Sequence, residues 1–160
     1  MTPASAQRPS PTDRIQKDVV LKATRSRVWK AVSDSKEFGA WFKIDFQEPF
    51  RAGKSITGRV TYPGYEHHKA VFMVEKIEPE KLFSFRWHPH AIDPDVEYTN
   101  EPTTLVEFTL EEVADGTKLT VVESGFDALP EERRKVAFPR NSEGWAIQMG
   151  SVAEYLRSRA

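Results

Sequence analysis

Residues Asn141 to Arg157 restrict this chain more than any other stretch. Trp145, Met149, Val152 and Leu156 recur at the i, i+4, i+7, i+11 spacing of one apolar stripe on an α-helix, with Glu143, Glu154 and Arg157 off the stripe. Burying four such side chains contributes roughly 6–12 kcal/mol, and ordering the chain consumes most of that. A helix of this kind needs a surface to lie against. The residues before it offer one, a series of alternating strands with Phe and Trp on one face. The expected fold is therefore α+β, a curved antiparallel sheet wrapped around a long C-terminal helix, and the space left between them is the expected cavity.

Ile15 to Thr24 alternates, with Ile15, Val19, Leu21 and Ala23 on one face. Thr24 to Phe42 reads as two short helices. Val28, Trp29 and Val32 form the apolar side of the first. Asp34 and Glu37 resemble a capping box for the second, which carries Phe38, Trp41 and Phe42. After a turn at Arg51-Ala-Gly53, Ile56, Gly58, Val60 and Tyr62 share a strand face that ends at Pro63-Gly64. Pro79-Glu80 reads as a hairpin tip that sets Phe72 opposite Trp87 and Val74 opposite Phe85, making one aromatic face with Phe83.

Asp115-Gly116 reads as the two-residue turn of a second hairpin. Pairing about it puts Val106, Phe108 and Leu110 on a face with Leu119, Val121 and Glu123, with Glu123 across from Phe108. Between the hairpins, residues 89 to 103 form a long loop with three prolines, a length common in lids and binding loops. Its polar end, Glu101-Pro-Thr-Thr104, reads as a strand-initiating turn. Pro130 suits the start of a short helix to about Ala137, Pro139 interrupts, and the long helix begins near Asn141.

The Pro/Ser-rich start, residues 1 to 13, lacks apolar periodicity and is expected to be a disordered tail before a single domain over 14–160. Over the whole chain, 23 basic and 24 acidic residues leave a net charge of −1, which gives no footprint for nucleic acid or an anionic membrane. No window approaches about 18 consecutive apolar residues, and the start has no apolar signal core. No membrane span is expected, and the expected location is cytoplasmic. The absence of cysteine excludes disulfides, thiolate catalysis and Cys-bound zinc. There is no phosphate loop, nucleophile elbow or dinucleotide fingerprint, so no cofactor is expected.

Glu123 is the most informative single residue. A carboxylate on an apolar inward face has its charged form disfavoured, which suits a general acid or base. The alternative is a residue at the sheet's end, paired with a cation or capping the turn after Gly125. His67, His68, His88 and His90 gather through the first hairpin's register. His67 and His88, with His90, are expected to face outward as a solvated rim rather than a zinc site. His68 points inward as a polar anchor. Trp41, Phe42, Phe72, Phe85, Trp87, Phe108, Trp145 and Met149, with His68 and Glu123, are the candidate pocket lining; at such spacings aromatic stripes also simply pack. Gly58 and Gly144 are expected to leave room where helix and sheet approach.

Several segments resemble a known family when read in order: Arg27-Val-Trp-Lys-Ala-Val32, Ala40-Trp-Phe42, Val74-Glu-Lys-Ile-Glu-Pro79, Phe83-Ser-Phe-Arg-Trp87, Thr104 to Leu110, Gly116 to Phe126 and Asn141-Ser-Glu-Gly-Trp145. They resemble bacterial members of the family named after the activator of the heat-shock protein 90 ATPase, within the START or birch-pollen-allergen-like (SRPBCC) superfamily, over about residues 14 to 158. The resemblance implies a helix-grip fold and a hydrophobic cavity. It also implies a small apolar or aromatic ligand as first expectation, since superfamily relatives bind lipids, sterols or polyketides. Some relatives are cyclases or hydrolases, which would give Glu123 an acid–base role. The eukaryotic namesake stimulates a chaperone ATPase, which makes a chaperone contact the third expectation. Fold alone does not choose among them.

Overall fold

Alternating segments become strands and the striped segments become helices in a computed structural model that describes residues 12–91 and 95–159. The strands are β1 (Arg14–Leu21), β2 (Ile44–Phe46), β3 (Ser55–Val60), β4 (Lys69–Glu78), β5 (Leu82–Trp87), β6 (Thr104–Val113) and β7 (Gly116–Ser124). They form one antiparallel sheet in the order β1-β7-β6-β5-β4-β3-β2. Helices α1 (Arg25–Ser33) and α2 (Ser35–Phe42) follow β1, and α3 (Glu131–Ser158) closes the chain. This is the helix-grip arrangement, with Trp145, Met149, Val152 and Leu156 of α3 buried as the stripe requires.

Local chemistry sets the helix ends. Thr24 Oγ1 accepts the Arg27 N–H at 3.2 Å to start α1. Asp34 Oδ1 accepts the Lys36 and Glu37 N–H groups at 2.9 and 3.2 Å to start α2. The capping box is half formed, because the Asp34 N–H already donates to Lys30 O at 3.0 Å to close α1. Glu37 turns instead to the Arg27 guanidinium at 2.8 Å and accepts from the Tyr155 hydroxyl at 2.9 Å.

Pro139 does not divide the C-terminal segment: α3 runs unbroken through it. One backbone bond is lost there, but Ala137 is buried and Phe138 packs edge-on against Phe126 at 5.2 Å. Packing on both sides outweighs the single missing bond. Of the expected tail, Thr12 and Asp13 are held in place, with Asp13 O accepting from Gly125 and Phe126 N–H. Residues 1–11 lie outside the described residues.

Both hairpin registers differ from expectation. The first pairs Glu78 with Leu82, so its tip is three residues with Glu80 in the left-handed region at φ 61°. A register shift between Val74 and Lys76 then restores the expected Val74–Phe85 pair. The second pairs Val113 with Gly116, two positions away from pairing about Asp115-Gly116. A shift of two leaves every side chain on its expected face, but it sets Glu123 opposite Val106 instead of Phe108.

The middle of the concave face is solid. Phe72 and Phe85 stack at 3.9 Å and 4°. Phe38 of α2 inserts edge-on toward Phe72 at 5.7 Å and Phe108 at 5.8 Å. All four are fully buried. Gly58 leaves no room either, since a Cβ there would lie 2.5 Å from Ile44 Cγ2 and 2.7 Å from Phe46 Cδ1. Its missing side chain admits those of β2.

Candidate functional site

Glu123 sits near the end of β7 with 0% of its surface exposed. Oε1 accepts from Trp145 Nε1 at 2.7 Å and Asn141 Nδ2 at 2.9 Å. Oε2 accepts from Trp87 Nε1 at 2.7 Å and Thr104 Oγ1 at 2.6 Å. Neither cation nor carboxylate takes part. One side chain thereby ties the ends of β5, β6 and β7 to two successive turns of α3. Burial pushes its pKa above the ordinary Glu value, while the bonds from Thr104, Trp87, Trp145 and Asn141 pull in the opposite direction. Neither alternative weighed for Glu123 at the sheet's end, a cation partner or a cap on the turn after Gly125, describes this ring of neutral donors.

Beyond Glu123 the rings of Phe42, Trp87 and Trp145 lean on one another at 5.7 to 6.1 Å and close off the core. On their outer side lies a cavity of about 550 Å³. Its walls are the ends of β3 and β4, the loops after β3 and β5, and Asn141 and Gln148 of α3. A smaller pocket of about 90 Å³ shares Phe42, Trp87, Asn141 and Gln148 and reaches Gly144 and Trp145. A Cβ at Gly144 would meet nothing within 4 Å, so this glycine does leave space.

Of the candidate lining, Phe42, His68 and Trp87 border the cavity and Trp145 borders the adjoining pocket. Trp41, Phe72, Phe85, Phe108 and Met149 belong to the packed interior. Trp41 Nε1 is spent on Ala31 O at 2.9 Å. Glu123 borders neither space. The open volume is thus at one end of the sheet, because Phe38 fills the middle.

The histidines need a correction. His68 faces the cavity as expected, but so do His88 and His90, which were expected to face away. Strand alternation stops at Trp87, and His90 takes a left-handed backbone at φ 49°, so parity no longer governs them. Burial lowers the pKa of all three, aided at His68 by His67 and at His90 by Arg140 and Arg133. At His88 the nearby Glu101 opposes that effect. In all three the shift favours the neutral imidazole. Among the described residues no group of three or more His, Asp or Glu is placed to hold a metal.

Arg133 fixes the cavity's outer wall. From the start of α3 it donates to Pro89 O at 2.7 Å and Glu101 Oε1 at 2.8 Å, and its guanidinium lies 4.7 Å from the centre of the Tyr98 ring. Sequence reasoning missed Arg133, Asn141, Gln148 and Thr104. Asn141 and Gln148 were within reach of helical periodicity, being one turn either side of Trp145. Arg133 and Thr104 carry no local signal.

A curved antiparallel sheet gripping a C-terminal helix, with a cavity at its open end, defines the helix-grip class. The chain belongs to the family of activator of Hsp90 ATPase homolog 1-like proteins, whose pattern matches residues 22–157. Among solved structures it is similar to DynU16, a protein of the dynemicin biosynthetic locus, with TM-score 0.70 and 26% identity over 93% of this chain and 48% of DynU16. This chain therefore spans about half of DynU16. It is also similar to CalU16 from Micromonospora echinospora (TM-score 0.60, 21% identity, 90% of this chain and 73% of the other). The Aha1 dimer from Colwellia psychrerythraea gives TM-score 0.66 and 18% identity, over 88% of this chain and 93% of the other. The last two likenesses concern the fold alone. No curated protein matches the chain. Among the described residues no helix is long and apolar enough to cross a membrane.

Proposed function

We propose that this protein binds a small apolar or aromatic molecule in the cavity bordered by Phe42, Trp87 and α3. The observation that carries this reading is the cavity itself: its size is that of small-molecule sites, and its walls set the rings of Phe42 and Trp87 beside polar side chains that include His68, Asn141 and Gln148. Tyr62, Tyr65, Val71 and Val96 are large apolar side chains left exposed, and all four stand around this one opening. Kinship with DynU16, from a biosynthetic locus, agrees with a small-molecule ligand. An acid–base role for Glu123 gains no support from a carboxylate that is wholly buried, fully bonded and off the cavity wall. A chaperone contact rests on the family's name.

Gly144 supplies the test. Gly144→Leu projects a side chain into open space beside Phe42 and Trp87, and removing a mid-helix glycine favours α3 by up to about 1 kcal/mol. In equilibrium dialysis against naphthalene, wild type is expected to bind and Gly144→Leu to bind at least about tenfold more weakly, with an unchanged or higher melting temperature. No binding by wild type, or equal binding by the variant, refutes the reading.

A further inference from the structure

We infer that the cavity's ligand is a flat ring system containing a cyclic amide, and that the open edge of β4 reads this amide through the backbone N–H and C=O of Val71. The inference rests on the binding proposal above and adds the ligand's polar chemistry. In an antiparallel strand, successive residues turn their N–H and C=O groups to opposite edges. Val60 N–H donates to His68 O at 3.0 Å, Val74 N–H to Lys54 O at 3.0 Å and Gly53 N–H to Val74 O at 2.9 Å. Even-numbered residues of this strand therefore bond toward β3, and Lys69, Val71 and Met73 turn to the other edge. There Met73 pairs with Arg86, and the β4–β5 ladder goes no further. Continued in register, it would set Val71 against His88 and Lys69 against His90. Among the described residues no backbone bond joins either pair.

The residues after β5 explain the break. Pro89 has no N–H to give. Pro89 O and His90 O accept from the Arg133 guanidinium at 2.7 and 3.5 Å, and His90 takes a left-handed backbone at φ 49°. The chain is thus drawn toward α3, and the cavity occupies the place of the missing pairs. Lys69, Ala70 and Val71 border one side of it, and His88 and His90 the other. Three successive strand residues cannot all turn their side chains to one space, so the edge of β4 lines it. Backbone groups left open in this way are strong sites for a partner. Two open positions are too few for an added peptide strand, which typically runs about five residues. A small molecule must instead offer an acceptor and a donor side by side, since the N–H and C=O of Val71 point the same way. The cis amide of a lactam does so, with its fused ring against Phe42 and Trp87 of the same cavity.

The test uses 2-quinolone, its N-methyl derivative and naphthalene in equilibrium dialysis against wild type, Val71→Pro and Val71→Ala. N-methylation removes the ligand's donor, and wild type is expected to prefer 2-quinolone over the N-methyl compound by about tenfold or more. Val71→Pro removes the strand's donor. It is expected to bind 2-quinolone about tenfold more weakly while its naphthalene affinity stays within about twofold of wild type. Its melting temperature should stay within about 5 °C of wild type, because proline is tolerated where a strand N–H bonds to no neighbour. Val71→Ala keeps the backbone groups and should keep the full preference. Equal wild-type affinities for 2-quinolone and its N-methyl derivative overturn the inference, as does undiminished 2-quinolone binding by Val71→Pro. Unfolding of Val71→Pro also overturns it, by showing that this N–H is spent within the sheet. Naphthalene binding that persists through any of these results leaves the cavity reading standing. If no probe binds, both fall.

Discussion

Glu123→Ala is expected to destabilise the fold by about 3–5 kcal/mol, measured by urea unfolding. The variant leaves Trp145 Nε1 and Thr104 Oγ1 facing an apolar void, and their bonds to Glu123 are fully buried. Trp87 and Asn141 lose their partner in part-buried positions, where water can replace some of it. The void itself adds to the loss. Because β5, β6, β7 and α3 meet at this carboxylate, the damage reaches the cavity floor, and binding of naphthalene should weaken with it. A loss under about 1 kcal/mol would show that the ring of donors contributes no more than a surface contact.

The same residue sets a sign for pH. Its folded pKa is raised, chiefly by burial, so the folded state holds the proton more readily than the unfolded chain. The stability tied to this group is complete below the ordinary Glu pKa and is lost as pH rises through the raised folded value. Compared with Glu123→Gln, wild type should therefore gain stability as pH is lowered from neutral toward that ordinary value. Paired urea curves across this range check it, and a difference that moves the opposite way contradicts the burial argument.

Gly39→Ala is expected to cost about 3 kcal/mol or more, as large as many core truncations. Gly39 lies in α2, and its chain reverses into β2 through a single residue, Lys43, at φ 69° and ψ 52°. The Lys43 N–H donates to Gly39 O at 2.9 Å. That tight return brings Ile44 O so near that a Cβ on Gly39 would lie 2.0 Å from it. The obstacle is backbone, not a side chain that can swing aside, so α2 must move and take Phe38 and Phe42 with it. Urea unfolding measures the loss, and an alanine variant as stable as wild type would mean that helix and strand are not in contact here.

The sequence disclosed those features that depend on parity and periodicity. Trp145, Met149, Val152 and Leu156 form the buried stripe because helical spacing survives whatever surrounds it. Glu123 faces inward although its hairpin is two positions off register, since a shift of two preserves the face. Inference failed where local pattern stops carrying information. His88 and His90 follow the last residue of β5, where alternation has no meaning. Strand β2 has three residues, too few to show a period. Phe38 fills the concave face, yet a helix stripe does not say how far a neighbouring helix will insert. The four donors to Glu123 come from three separated segments, and only Asn141 and Trp145 stand in a spacing that announces a shared face.

The central claim is that ligand enters at the open end of the sheet, beside Phe42 and Trp87, and not the filled middle. The four tryptophan indole N–H resonances report on this during a titration with naphthalene. Trp87 and Trp145 should shift together, both lying at the cavity floor and on Glu123. Trp41, bonded to Ala31 O within the core, and Trp29 on α1 should stay in place. Movement of Trp41 or Trp29 while Trp87 and Trp145 remain still would contradict the account.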